Sequence, residues 1–237
     1  MSRFIFILSG VVFSVSLLFG FLAWRDDGSR PMPAPTAAQL FEGMLEAARS
    51  GDATAQRQVA EAYLAGEGTV ADPAQAAKWL ARATEQGDAV ASYRLARLYE
   101  EGRGLRADYR RAAALYEQAA TRGNLADAQY ALGDLHFHGR GTVNDYAEAL
   151  RWYRMAAENG QPVAQYRLGT MYAEGWGVDK DLVAAYAWYS RAMTGAAQVM
   201  AADRGYDPAA ARRRLVAEMN RHQVEQAERR LAETPVR

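Results

Sequence analysis

Residues 139–145 read "GRGTVND": two glycines flank an arginine, and an aspartate stands four residues past the second glycine. A helical pattern opens immediately behind it. Backbone N–H groups at a helix start attract anions, and glycines let a phosphate approach, so a nucleotide site is one reading. The fuller signatures are missing: the chain has no G-x-x-x-x-G-K-[ST], no third glycine completing G-x-G-x-x-G, and no strand pattern before the turn.

The motif also recurs. Gly66/Gly68, Gly102/Gly104, Gly139/Gly141 and Gly175/Gly177 are spaced by 36, 37 and 36 residues, and Asp72, Asp108, Asp145 and Asp181 follow at the same offset. Copies at a fixed period define a repeat architecture. Each residue then has a structural task. The first glycine accepts the left-handed conformation that ends a helix. The aspartate caps the next helix and complements its dipole. Gln75 and Glu148, three residues after Asp72 and Asp145, have capping-box spacing. The stretch is a joint between helices.

The chain has 237 residues, with 28 basic and 28 acidic side chains and half of its residues apolar, so it can bury a core. Neutral balance argues against a nucleic-acid binder, which carries a basic excess. The absence of cysteine removes disulfides, thiolate nucleophiles and thiolate zinc sites.

Residues 4–24, after a short flank at 1–3, carry no charge. At about 1.5 Å per residue such a helix spans the roughly 30 Å hydrocarbon core. A cleaved signal has a shorter apolar region and a small-x-small end, whereas "FLA" at 21–23 has a bulky first residue. The segment reads as an uncleaved transmembrane signal anchor with Trp24 at the interface. Positive charges are nearly equal on its two sides. The short amino-terminal flank is that of a bacterial signal anchor, which places the rest in the periplasm; a cytoplasmic orientation and a cleaved, released form are the alternatives. Residues 25–36, "RDDGSRPMPAPT", form a proline-rich linker.

From residue 37 the pattern is helical throughout. Residues 37–51 match the second half of a repeat, and full repeats fall at 52–87, 88–123, 124–160 and 161–195. First helices carry Ala91, Tyr93, Leu95, Ala96 and Tyr99, with counterparts Ala128, Tyr130, Leu132, Gly133 and His136, and Ala164, Tyr166, Leu168, Gly169 and Tyr172. Second helices carry an i, i+3, i+4, i+7 stripe such as Ala149, Trp152, Tyr153 and Ala156. Gly87, Gly123 and Gly160 are expected to end them. Asp207-Pro208 starts a further helix, and residues 196–237 read as terminal capping helices whose Arg212, Arg213 and Arg214 form a solvated face.

The pattern A-x-Y-x-L-G-x-x-Y-x-x-G-x-G-V-x-x-D…A…W-Y-x-x-A-A-x-x-G resembles the Sel-one-like repeat (SLR), a relative of the tetratricopeptide repeat, over about residues 37–235. Departures are Arg57 and Val59, Leu115 in place of tryptophan, and His136 in place of tyrosine. The resemblance implies an all-α, right-handed α/α superhelix whose first helices line a concave groove. It implies a scaffold that docks a protein or peptide; no cofactor is assigned, and the charge balance already argues against nucleic acid. Carried over by helix phase, the groove positions are Tyr93, Arg97, Glu100 and Glu101; Tyr130, Asp134, Phe137 and His138; and Tyr166, Thr170, Ala173 and Glu174. Leu95, Ala96 and Tyr99 are assigned to the core. The alternative is a cell-envelope hydrolase or β-lactam binder of the same repeat family, but the paired cysteines of those relatives are absent here. His136 and His138 lie two apart on a helix and face differently, which makes them poor joint metal ligands. No metal site or catalytic constellation is assigned. Trp176, inside the last joint, is read as a surface aromatic.

Overall fold

The computed structural model describes residues 34–233. The expected anchor at 4–24, its flank and most of the linker lie outside the described residues, among which no helix is long and apolar enough to cross a membrane. Those residues form α1 (Ala37–Arg49), α2 (Ala53–Ala65), α3 (Pro73–Glu85), α4 (Ala89–Glu101), α5 (Tyr109–Arg122), α6 (Ala126–His138), α7 (Tyr146–Glu158), α8 (Pro162–Glu174), α9 (Leu182–Ala192), α10 (Ala196–Ala202), α11 (Pro208–Glu218) and α12 (Arg221–Glu233). The fold is an all-α helical repeat. The first helices α2, α4, α6 and α8 each pack on the second helix of their own repeat and on the second helix before it. After α9, a short 3-10 turn leads to α10, which lies on α8, while α11 and α12 pack on α9.

Capping starts the helices. Oδ1 of Asp72, Asp108 and Asp181 accepts two first-turn N–H groups each, at 2.9–3.0 Å, and Asp145 accepts one at 3.0 Å. Asp52, Asp88 and Gln161 cap first helices in the same way. Each cap contributes about 1 kcal/mol. The reciprocal half of a capping box forms at Thr36 and Gln39 rather than at the two expected places. Glu148 instead turns forward to Arg151 and to Trp152 Nε1 (2.8 Å), and its carboxyl is held below the usual range mainly by Arg151.

The two glycines of each joint do different work. Gly66, Gly102, Gly139 and Gly175 are the left-handed caps of the first helices. Gly68, Gly104, Gly141 and Gly177 are also left-handed, at φ 69–76°, and each lies against the start of the preceding second helix. A Cβ there would stand 2.3–2.6 Å from backbone atoms of Ala37, Pro73, Tyr109 or Tyr146, nearer than any real contact. The joint therefore seats one repeat on the previous one as well as turning the chain.

Within repeats, small residues of the first helix face rings of the second. A Cβ on Gly133 or Gly169 would meet the Tyr153 or Tyr189 ring at 2.8 Å. Gly123 departs from expectation. Its φ is −96°, so it is not a left-handed stop, and Asn124 (φ 48°) takes that role. Glycine is required there because a Cβ would lie 2.3 Å from that of Ala89. A buried polar column also threads the repeats: Gln56, Gln129 and Gln165 donate Nε2 to Ala48, Ala120 and Ala157 carbonyls at 3.1–3.4 Å. These are late carbonyls of the preceding second helices, past the regular helix ladder; Ala48 and Ala157 also accept the turn N–H groups of Gly51 and Gly160.

Candidate functional site

The repeat places Tyr93, Tyr130 and Tyr166 at one register on α4, α6 and α8. Each ring rests on the tyrosine of its second helix, Tyr116, Tyr153 or Tyr189, with centroids 5.8, 5.8 and 5.3 Å apart. Burial raises all of these hydroxyls, Tyr130 and Tyr189 to about 12, so they are neutral donors at ordinary pH. In the first repeat the pair is replaced: Arg57 takes the tyrosine position and reaches Asp88 at 2.9 Å, while Leu80 fills the core opposite.

Successive first helices share a cleft of about 760 Å³. It is lined by Tyr93, Arg94 and Arg97 from α4, Asp127 from α6, Pro162 from α8 and Gln198 from α10. Arg97 pairs along its own helix with Glu101, and both remain exposed. Arg94 reaches back to Glu61 at 3.8 Å. This part of the face offers a tyrosine and two arginines to solvent.

Asp134 is different. It is largely buried and takes Arg140, Arg167 (3.1 Å), the Tyr153 hydroxyl (3.2 Å) and His138 Nε2 (3.6 Å). Arg167 lies over the rings of Phe137 and Tyr206, at 5.3 and 4.8 Å. Phe137 continues into Trp176 and Tyr146, at 5.4 and 5.1 Å. Glu100 accepts the Tyr116 hydroxyl at 2.7 Å and faces Arg140 at 3.8 Å. The middle residue of each later joint reaches back to one column of the preceding first helix: Arg103 to the Leu64 carbonyl (3.1 Å), Arg140 to Glu100, Trp176 to Phe137. Trp176 thus belongs to a cluster rather than standing alone.

At the last repeat the face is covered. Tyr206 stacks on Tyr166 at 4.8 Å, leaving Tyr166 only 8% exposed. Thr170 accepts the Tyr189 hydroxyl at 3.1 Å and donates to the Tyr166 carbonyl, Ala173 is buried, and Glu174 is exposed. Of the groove positions expected from sequence, Tyr93 and Arg97 line the cleft, while Asp134, Phe137 and His138 gather around Arg167. Tyr99, expected in the core, is half-buried and accepts from Arg111 at 3.2 Å.

Sequence reasoning missed Arg94, Arg140, Arg167 and Tyr206. Arg94 and Arg167 share one register beside the tyrosine column, and that recurrence was the available signal. Arg140 reads as turn, and Tyr206 lies beyond the last joint.

Paired antiparallel helices repeated at a fixed step, each seated on the last, define a helical-repeat solenoid, a class built to present one recurring face. The Sel1 repeat model matches residues 53–88, 89–124, 126–161 and 162–193, more than half of the chain, which therefore belongs to the Sel1 repeat family. A protective antigen of uropathogenic Escherichia coli displaying an SLR fold is 40% identical, with a TM-score of 0.63, over 65% of this chain and 33% of that one. A Sel1 repeat protein from Oxalobacter formigenes is 31% identical, with a TM-score of 0.63, over 67% of this chain and 64% of its own. The match thus spans a third of the first relative and under two thirds of the second. No curated protein matches the chain.

Proposed function

We propose that the protein is a non-catalytic scaffold that docks a peptide or helix of a partner protein on the face lined by its first helices. In this reading the repeats wind as a right-handed superhelix with that face concave. Residues 4–24 anchor it in the cytoplasmic membrane, and the repeats face the periplasm. The observation that carries the reading is the cleft between α4, α6 and α8, which presents Tyr93, Arg94 and Arg97 to solvent. Tyrosine and arginine are the side chains that dominate binding energy at protein interfaces. The partly buried carboxylates of the face are already engaged, Asp134 with two arginines and Glu100 with Tyr116. That engagement favours a rigid platform over acid–base chemistry.

Crosslinked capture from intact cells tests the docking claim, comparing wild type with Tyr93→Ala/Arg97→Ala after circular dichroism has shown that the variant folds. Loss of a specific captured partner is the expected result. Capture of the same partner by both would move binding off this face. Protease access to a carboxyl-terminal tag in spheroplasts tests the orientation.

A further inference from the structure

A second surface lies at the other end of α4, away from the first-turn cleft. The turn from α4 into α5 and the joint of the next repeat enclose a depression lined by Tyr99, Arg106, Asp108, Tyr109, Arg110 and Arg111. Asp108 is already engaged: Oδ1 accepts two backbone N–H groups, and Oδ2 lies 3.4 Å from Arg111. Arg106 and Arg110 are exposed and have no ion-pair or hydrogen-bonding side-chain partner among the described residues. Tyr109 is 36% exposed beside them.

The repeat supplies its own control. The position of Arg106 is Val70, Val143 and Asp179 in the other copies; that of Arg110 is Ala74, Ala147 and Val183; that of Arg111 is Gln75, Glu148 and Ala184. All copies build the same joint and the same aspartate cap. The fold therefore has no need of arginine at these places. At the first turn of α5 arginine even opposes the helix dipole. Arg111 is held by Asp108 and the Tyr99 hydroxyl, which leaves Arg106 and Arg110, at one joint alone, with the bidentate geometry that suits a carboxylate.

We propose that this edge docks an acidic segment of a partner protein, its carboxylates on Arg106 and Arg110 and an apolar side chain across Tyr109. A membrane or nucleic-acid footprint would continue the positive charge along the edge. The neighbouring joint does bring Arg140 over the Tyr109 ring at 5.7 Å, but that guanidinium is held by Asp134 and Glu100, and the equivalent positions present Val143 and Glu148 on one side and Val70 and Gln75 on the other. None of the residues lining this site lines the cleft at Tyr93 and Arg97.

The test is fluorescence anisotropy of a labelled Glu-Glu-Tyr-Glu-Glu peptide with the full-length protein, comparing wild type with Arg106→Glu/Arg110→Glu. Glutamate in the first turn suits the helix, so this variant retains its fold. The peptide is expected to bind saturably, weaken with added salt, and lose about tenfold or more in the double variant. Arg213→Glu/Arg214→Glu on α11 and Tyr93→Ala/Arg97→Ala are each expected to change it by less than about twofold. Absence of saturable binding, or equal loss in the α11 variant, overturns the proposal. So does an excess of binding to phosphatidylglycerol over neutral vesicles that disappears in Arg106→Glu/Arg110→Glu while the peptide stays unbound, which would assign the edge to a lipid surface. Failure of the peptide arm with intact partner capture would leave the docking face standing without this site.

Discussion

Tyr93 and Tyr166 occupy the same register two repeats apart, and both rest on a tyrosine of their own second helix. Tyr93 opens onto a cleft, whereas Tyr166 lies under Tyr206. The difference comes from the next stretch of chain in each case. The face at Tyr93 is continued by another repeat. The face at Tyr166 meets a segment without a joint, which folds α10 onto α8 and lays Tyr206 across the ring. Register decides which way a residue points; the neighbour in space decides whether anything can reach it.

The comparison can be broken by substitution, and the largest effect belongs to the covered end. Asp134→Ala leaves the Arg167 guanidinium, 14% exposed, without its carboxylate. The expected loss is about 2–4 kcal/mol, read as a lower urea midpoint at unchanged slope. Should Asp134→Ala cost no more than a surface pair, the distinction between the two ends fails.

Tyr206→Ala removes the cover. It is expected to cost about 1–2 kcal/mol and to expose Tyr166 to nitration by tetranitromethane, mapped by mass spectrometry, while Tyr93 reacts as before. An unreactive Tyr166 in that variant would show that the ring is shielded by something other than Tyr206.

Alkaline titration probes the buried tyrosines of both layers. Folding raises the Tyr130 and Tyr189 hydroxyls to about 12 from an ordinary value of 10.0. Between those values the unfolded chain binds fewer protons than the folded one, so stability is fully present below pH 10 and falls towards pH 12. Urea midpoints measured across that range should decline, and Tyr189→Phe should decline less steeply. The smallest effect lies at the open end: Arg97→Ala removes an exposed pair with Glu101 and is expected to cost under about 0.5 kcal/mol. Arg97 can thus be changed in binding experiments without unfolding the protein.

The helix pairs were legible because they are periodic: glycine and aspartate at fixed offsets, small residues facing rings. The double use of the joint was less so. Both glycines have positive φ, but only the second has a backbone within 2.6 Å of a missing Cβ, and that distance is set by a helix 31 or 32 residues earlier. The glutamine column was hidden because Gln56, Gln129 and Gln165 break an apolar pattern while being buried. Asp134 looked like a groove residue because its helix phase matches that of Arg97. What separates them is Arg167, 33 residues further along the chain. Helix phase carries no information about such a partner.

The second glycine of each joint has one more consequence. Every repeat carries the surface that receives its successor and the bare backbone that fits its predecessor, so the array is interchangeable by whole units. Excising the stretch from Asp88 to Gly123, or copying it in tandem, restores a matched junction on both sides, whereas a cut that leaves half a unit puts a side chain where only hydrogen fits. A chain built this way can lengthen or shorten by duplication and loss without redesigning a junction, up to the repeat whose face Tyr206 covers.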